Sequence, residues 1–423
     1  MDLTMPQKNY AKDLILYLIP MIFLALLFSK SLPDILIIIM GAAFLYSSYK
    51  EKSWGWVKDP VVILAFLLSA YCLLIASPFA DRPLDTAVKS LIWLRFILFY
   101  ACLVHVLPQS TDRLKLPLQL CLAIFAIVIV DSFFQYISGV SLSGNLKPGV
   151  RLTSFLDRPN IGTYLFKSVF AVASLFLAVW LSGQAVRMRD AVIFYSIWFL
   201  SAVIILLSGE RTATLMMLGS VFVLIPGALF FSPRRCIWAF TIVAGAAFVV
   251  AFVAFTQPVV KKRSGDFQKH ISEFRNSPYG HLTFAALSIA QDNPLTGIGF
   301  KTFEENCKRR IDPDGSKKLC HIHPHNPYLE WMVIAGYPGM LLYFALVFAL
   351  LFNVLRGCWT DNRLIVTAVA LSALSISLFP FLFSQSLVSN WPGVLAWISI
   401  GLAVASVKII RADCADAPVA PRN

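Results

Sequence analysis

The sequence predicts an all-α integral membrane protein of about twelve transmembrane helices, with a large extramembrane loop that itself contains short helices. Three observations predict it. The chain of 423 residues is 58% hydrophobic and only 14% charged, whereas soluble domains run near 45–50% apolar and about 25% charged. The apolar residues gather into runs of roughly 17–24, the length a helix needs to cross about 30 Å of hydrocarbon. The alternating segments of about ten residues that mark a transmembrane β-barrel are absent from the pattern. Helices, which satisfy their own backbone groups, must therefore do the crossing.

In chain order the expected spans are 14–29, 33–48, 60–77, 90–107, 116–138, 161–182, 190–208, 212–232, 236–257, 336–356, 364–383 and 391–409. The first reads as an uncleaved anchor, because a second apolar run follows almost at once. The chain thus divides into residues 1–257 with nine spans, a polar loop over 258–335, and residues 336–423 with three spans and a tail.

Lys and Arg set the orientation, since short cytoplasmic loops are enriched in them. With the N-terminus inside, every inside segment carries at least two, among them Lys8 and Lys12, Arg113 and Lys115, Arg187 and Arg189, and Lys408 and Arg411. The short outside loops carry fewer. Two outside segments break the pattern: 139–160, with Lys147, Arg151 and Arg158, and the long loop 258–327. Long loops translocate regardless of charge, but cations placed there ask for an anionic substrate or surface. The net charge of +13 is thus shared between topology and that outer face. It does not point to nucleic acid, because no basic face sits on a soluble domain.

Of the 8 cysteines, Cys72, Cys102 and Cys121 fall inside spans and act as small apolar residues. Cys236, Cys358 and Cys414 fall near the reducing inner face. Cys307 and Cys320 alone fall in the long outer loop, where an oxidising compartment favours a disulfide closing Lys308–Leu319. A zinc site built from Cys307, Cys320, His321 and His323 is the competing reading, weakened by the lack of a second close cysteine pair.

Within that loop a helix is expected at about His281–Gln291, ended by Asp292-Asn293-Pro294, since Pro cannot continue it. Asp312-Pro313-Asp314-Gly315 is a turn signal. It also spells D-x-D, the metal-binding pattern of many nucleotide-sugar glycosyltransferases, but an ordinary solvated turn accounts for it.

Three further patterns follow one another on this face. Ser208-Gly209-Glu210-Arg211-Thr212 opens a span, Asn293-Pro294-Leu295-Thr296-Gly297-Ile298-Gly299 follows the loop helix, and His325-Asn326 stands nine residues before Gly336-Tyr337-Pro338-Gly339. The last, H-N-x9-G-x-x-G at the entry to a transmembrane helix, resembles the signature of the O-antigen ligase and polymerase superfamily. The other two resemble that family's S-x-x-R-[ST] turn and N-P-x-x-G-x-G segment.

The resemblance implies a multi-pass protein of the bacterial inner membrane with its active site in a periplasmic loop. It implies a glycosyltransferase that uses a polyprenyl-diphosphate-linked glycan as donor and lipid A-core, or a second lipid-linked glycan, as acceptor, among membrane lipids and without a cofactor. A departing lipid diphosphate already carries negative charge, so it needs cationic stabilisation rather than protonation, which Arg supplies as a fixed fork. The acceptor hydroxyl needs a base near neutral pH, the range of His. His325 is the candidate base and Arg211 the candidate diphosphate clamp, with no metal required. Arg151 and Arg158 are candidate substrate contacts. Asn326 is a helix cap or a substrate contact.

Family members place an Arg about fifteen residues before the N-P proline. Here that position is Tyr279, and the role falls to Arg275, to His281, or to neither. Lys167 and Arg95 lie within apolar spans, where a charge is a functional candidate by default, although each is near enough to a helix end to snorkel. A transporter of lipid-linked sugars is the alternative from another class. Transporters place polar sites at the midplane of repeated halves, and here the polar residues concentrate on one face without a repeat.

Overall fold

The computed structural model describes residues 10–149, 151–182, 188–229, 274–312, 319–357, 364–381 and 386–416. Among these the chain forms thirteen α-helices and no β-strand. They are α1 (Tyr10–Phe28), α2 (Leu32–Glu51), α3 (Pro60–Tyr71), α4 (Pro83–Val106), α5 (Lys115–Ser138), α6 (Ile161–Leu181), α7 (Met188–Leu207), α8 (Arg211–Leu229), α9 (Pro278–Asp292), α10 (Phe303–Ile311), α11 (Pro327–Leu355), α12 (Leu364–Leu378) and α13 (Asn390–Asp416). Eight segments are long and apolar enough to cross a membrane. Eleven of the twelve expected spans coincide with these helices. The ninth, 236–257, lies outside the described residues, as do Lys261, Lys262, Arg263, Asp314, Lys317, Lys318, Cys236 and Cys358.

Helices α6 and α13 form the centre of the bundle, with 89% and 94% of their apolar windows buried. Both are hydrophobic all round, as a helix enclosed by other helices must be. Peripheral α1 and α2 turn one apolar face inward, Ile15, Ile19 and Met40 among it, and leave Leu14, Met21, Ile35 and Ile38 exposed. Such an exposed apolar belt belongs in hydrocarbon. Helix α3 starts at an Asp59 cap that accepts from Val61 N at 3.0 Å, and it runs out through a π turn, Cys72–Ala76.

Helices α9 and α10 and the first half of α11 make a small cap with its own core of Leu282, Ala286, Ile289, Ile298, Phe303, Cys307 and Val333. Ser277 caps α9 by accepting from Gly280 N at 3.0 Å, so that helix begins three residues earlier than expected. Cys307 and Cys320 are joined by a disulfide, with Cα atoms 5.8 Å apart.

The cap is fastened to the bundle by two of the motifs. Helix α11 is broken at Ala335 and Gly336, so the short helix 327–335 and the span from 336 are one element with a kink, and the expected boundary between loop and span falls at that kink. Into it fits the Asn293–Gly299 turn. Ile298 N donates to Val333 O at 2.9 Å, Gly299 N to Ile334 O at 3.1 Å, and Tyr337 N to Pro294 O at 2.8 Å. The kink's broken ladder is thereby satisfied from outside. Gly297 and Gly336 have φ of +64° and +68°, and a Cβ on Gly336 would lie 2.5 Å from the Pro294 carbonyl oxygen. These glycines are needed because two backbones touch.

Candidate active site

Four segments, with the end of α1, Tyr279 of α9 and Ile376 of α12 beside them, meet at one end of the bundle around a cavity of about 960 Å³. The first is the 139–160 connection, folded back on α5 by two buried side chains. Gln135 donates to Asn145 O and Thr153 Oγ1 at 3.0 and 2.7 Å and accepts from Thr153 N and Ser154 N at 2.9 and 2.8 Å. Asp131 accepts from Leu142 N at 2.6 Å and from the Ser154 hydroxyl. This anchoring holds Arg151 and Arg158 at the cavity wall, where Arg151 Nη2 donates to Pro159 O at 3.1 Å.

The second segment is Ser208–Thr212, stitched to the first. Leu152 N donates to Ser208 O at 3.2 Å. The Glu210 carboxylate takes the Gly162 and Thr163 amides at 2.5 and 3.0 Å and the Thr163 hydroxyl at 2.6 Å. Glu210 thus caps α6 from another part of the chain, a favourable place for an anion. Burial pushes its carboxyl above the usual range, and the bonds from Thr163 and Gly162, with Arg151 nearby, pull it part of the way back. A Cβ on Gly162 would lie 2.4 Å from Ser208 Oγ. Arg211 follows Glu210 as the first residue of α8, exposed on the same cavity.

The third segment carries the histidines. Asn326 caps α11 by accepting from Tyr328 N and Leu329 N at 3.0 and 3.2 Å, and its amide donates to Pro380 O at 2.7 Å. His325 sits before this cap at φ +58°, the left-handed region that only a few non-glycine residues enter. Its ring centre lies 4.3 Å from His323, 5.2 Å from His321 and 6.3 Å from Tyr279, which meets it edge-on. His325 N donates to His323 Nδ1 at 3.1 Å. A neutral His323 that accepts at Nδ1 carries its proton on Nε2, so it can donate but offers no second lone pair. Burial first, then the neighbouring His325 and His321, push its pKa down to about 3. The fourth segment is the Ser389–Pro392 start of α13, with Trp391 Nε1 donating to Leu26 O at 2.6 Å.

Of the residues expected from the sequence, His325, Arg211, Arg151 and Arg158 all line this cavity. Asn326 is buried in its capping role and does not line it. Arg275 and His281 do not reach it either: the Arg275 guanidinium lies 5.6 Å over the Phe284 ring, and on α9 it is Tyr279 that lines the wall. Arg95 reaches a helix end: it pairs with Asp34, in the first turn of α2, at 3.1 Å and donates to Oδ1 of Asn390, the first residue of α13, at 3.3 Å. Lys167 does not reach the surface, being 1% exposed and lining the cavity. Sequence reasoning left Glu210 without a role. Its position beside Arg211 in a turn at the bundle end was the signal available. Among the described residues no group of three His, Cys, Asp or Glu side chains is arranged to hold a metal.

Fold and site together define a polytopic helical membrane protein with a cationic, histidine-bearing cavity at one end of its bundle. Residues 196–344, roughly a third of the chain, match the family model described as O-antigen ligase. That stretch contains Arg211, the two interlocked glycine motifs and His325, and it supports the O-antigen ligase-like superfamily of membrane glycosyltransferases that the motifs resemble. Arg151, Arg158 and Lys167 stand outside the match, although they share its cavity. No curated protein matches the chain.

Proposed function

We propose that the protein is an O-antigen ligase of the bacterial inner membrane, moving a glycan from a polyprenyl diphosphate to lipid A-core at its periplasmic face. The observation that carries this reading is the cavity itself. Among the described residues, five cationic side chains and two carboxylates face the same space as His325, and the cations come from segments far apart in the chain.

The acceptor hydroxyl attacks the anomeric carbon while its proton passes to a ring nitrogen of His325. The bond between that carbon and the diphosphate oxygen breaks, and the electron pair leaves with the lipid diphosphate. Arg211 and Arg151 hold the charge that develops there. His323 does not compete as base, because its accepting nitrogen is engaged by the His325 amide. The leaving group needs no proton and the arginines supply fixed positive charge, so the step runs without a metal ion.

The test is transfer in vitro with a defined lipid-linked donor and purified core acceptor. His325→Ala should lose about 10²–10⁴-fold, the usual contribution of a general base. Arg211→Lys should lose most activity, because an ammonium makes no bidentate phosphate contact. EDTA should leave the rate unchanged. Near-normal turnover by His325→Ala, or EDTA inhibition reversed by a divalent ion, would overturn the mechanism.

One observation favours a second reading, a polymerase that extends one lipid-linked glycan with another. A phosphate-rich core would favour unpaired cations near the opening. Lys308, Arg309 and Arg310 are instead each paired, with Glu304 at 2.6 Å, Glu305 at 2.5 Å and Asp292. A deletion strain that accumulates full-length glycan on its carrier beside bare core supports the ligase. Single repeat units on core would make the protein a polymerase.

A further inference from the structure

Among the described residues Lys167 is a charge that the site so far leaves unexplained. It lies on α6, 1% exposed, and its Nζ has no hydrogen-bond partner among the described residues. An unpartnered ammonium inside a helical bundle is costly unless something compensates it. The carboxylates lining the cavity do not. Glu210 is taken by three donors at the α6 terminus, and Asp157 pairs with Lys30 at 3.0 Å. A second cationic atom of the same cavity, Arg151 Nε, is also buried without a partner.

The position of Lys167 tells what would compensate it. It follows Thr163 by four residues on α6, so the two side chains share a helix face one turn apart, and both line the cavity. Thr163 belongs to the level where Glu210, Arg151 and Arg211 gather. Lys167 is therefore about 6 Å deeper along the helix axis, where its carbonyl accepts from Ser399 Oγ at 2.9 Å, well inside α13. A polyprenyl diphosphate has the same polarity: a sugar-bearing phosphate outward, a prenyl-bearing phosphate next, then hydrocarbon.

We infer that Lys167 is the ligand of the prenyl-bearing phosphate, a deep subsite beneath the Arg211 and Arg151 level, which takes the sugar-bearing phosphate. This rests on the lipid-diphosphate reading of the cavity. Lys suits the deeper place, since its single compact charge reaches one phosphate through an apolar stem. When the glycan leaves, the lipid diphosphate stays bound at both levels, so Lys167 also retains the product. A sugar hydroxyl is the weaker candidate ligand, because it offers a dipole where the buried ammonium needs a charge.

The test measures binding of farnesyl diphosphate, farnesyl monophosphate and farnesol to the full chain in detergent. The wild type should bind both phosphates far more tightly than farnesol. Lys167→Met should weaken both phosphates by about tenfold or more, the scale of a charged hydrogen bond, and leave farnesol unchanged. Arg211→Ala should weaken the diphosphate alone. Because methionine removes an unpaired buried charge at similar volume, the empty Lys167→Met protein should melt no lower than wild type. Monophosphate binding unchanged in Lys167→Met would overturn the deep subsite and leave the lipid-diphosphate reading standing. So would a lowered melting midpoint, which marks the lysine as scaffold. If the wild type binds neither phosphate better than farnesol, both readings fall together.

Discussion

Of the three histidines near the cavity, His323 is the one whose titration reports on structure. Its pKa is depressed from 6.5 to about 3, first by burial and then by its two neighbours. A group whose folded pKa is lowered stabilises the fold above its unfolded value, and that stability is lost as pH falls towards the folded value. The melting midpoint should therefore drop as pH falls from 6.5 towards 3. His323→Asn keeps an oxygen to accept the His325 amide but does not titrate, so it should flatten that drop. Melting curves of the two proteins across this window decide the matter, and parallel pH profiles would show that the acid sensitivity lies elsewhere. The place of His325 at the cavity was legible in the sequence because its motif is local. Glu210 was not, because its contacts depend on what α6 meets across the bundle, and Lys167 stood out only as a charge in an apolar span. The pairing on α10 was legible and overlooked: Glu304 with Lys308 and Glu305 with Arg309 stand at the i,i+4 spacing that forms ion pairs on a helix.

The kinked α11 governs the next level. Its Ala335–Gly336 break is held open by the Asn293–Gly299 turn, and each side supplies hydrogen bonds the other lacks. Gly336→Ala should cost roughly 1–3 kcal/mol, from a left-handed backbone imposed on a residue with a Cβ and from collision with Pro294 O. Transfer should fall as well, since the first half of α11 carries the histidine loop. A variant that melts and turns over like wild type would show that the kink relaxes without this contact. The spanning helices were predictable from length and hydropathy alone, because a membrane leaves few alternatives to a run of about twenty apolar residues. The kink was not, because a short polar helix running into a span reads as two elements. Only the partner turn, over thirty residues earlier, explains why they are one.

For the molecule as a whole, the arrangement of the two ends is the claim to test. Asp157 and Lys30 rim the cavity, while Asp112, Lys115 and Arg189 border a second hollow of about 600 Å³ whose lining shares none of the cavity's residues. With the cavity end in the periplasm, a cysteine at Asp157 should react with a membrane-impermeant thiol reagent in intact spheroplasts. A cysteine at Asp112 should react only after permeabilisation, both in a background without other reactive thiols. The reverse pattern would invert the protein in the membrane and remove the periplasmic reading of the site.

The Glu210 stitch constrains how the protein is made. The amides of Gly162 and Thr163 enter the bilayer early in synthesis, yet the carboxylate that satisfies them lies beyond α7, at the threshold of α8. Until the ribosome has delivered that later stretch, α6 waits with an uncapped terminus. The wall shared by α6 and α8 is thus closed only once α8 begins, and the histidines and the start of α13 that finish the cavity are made later still.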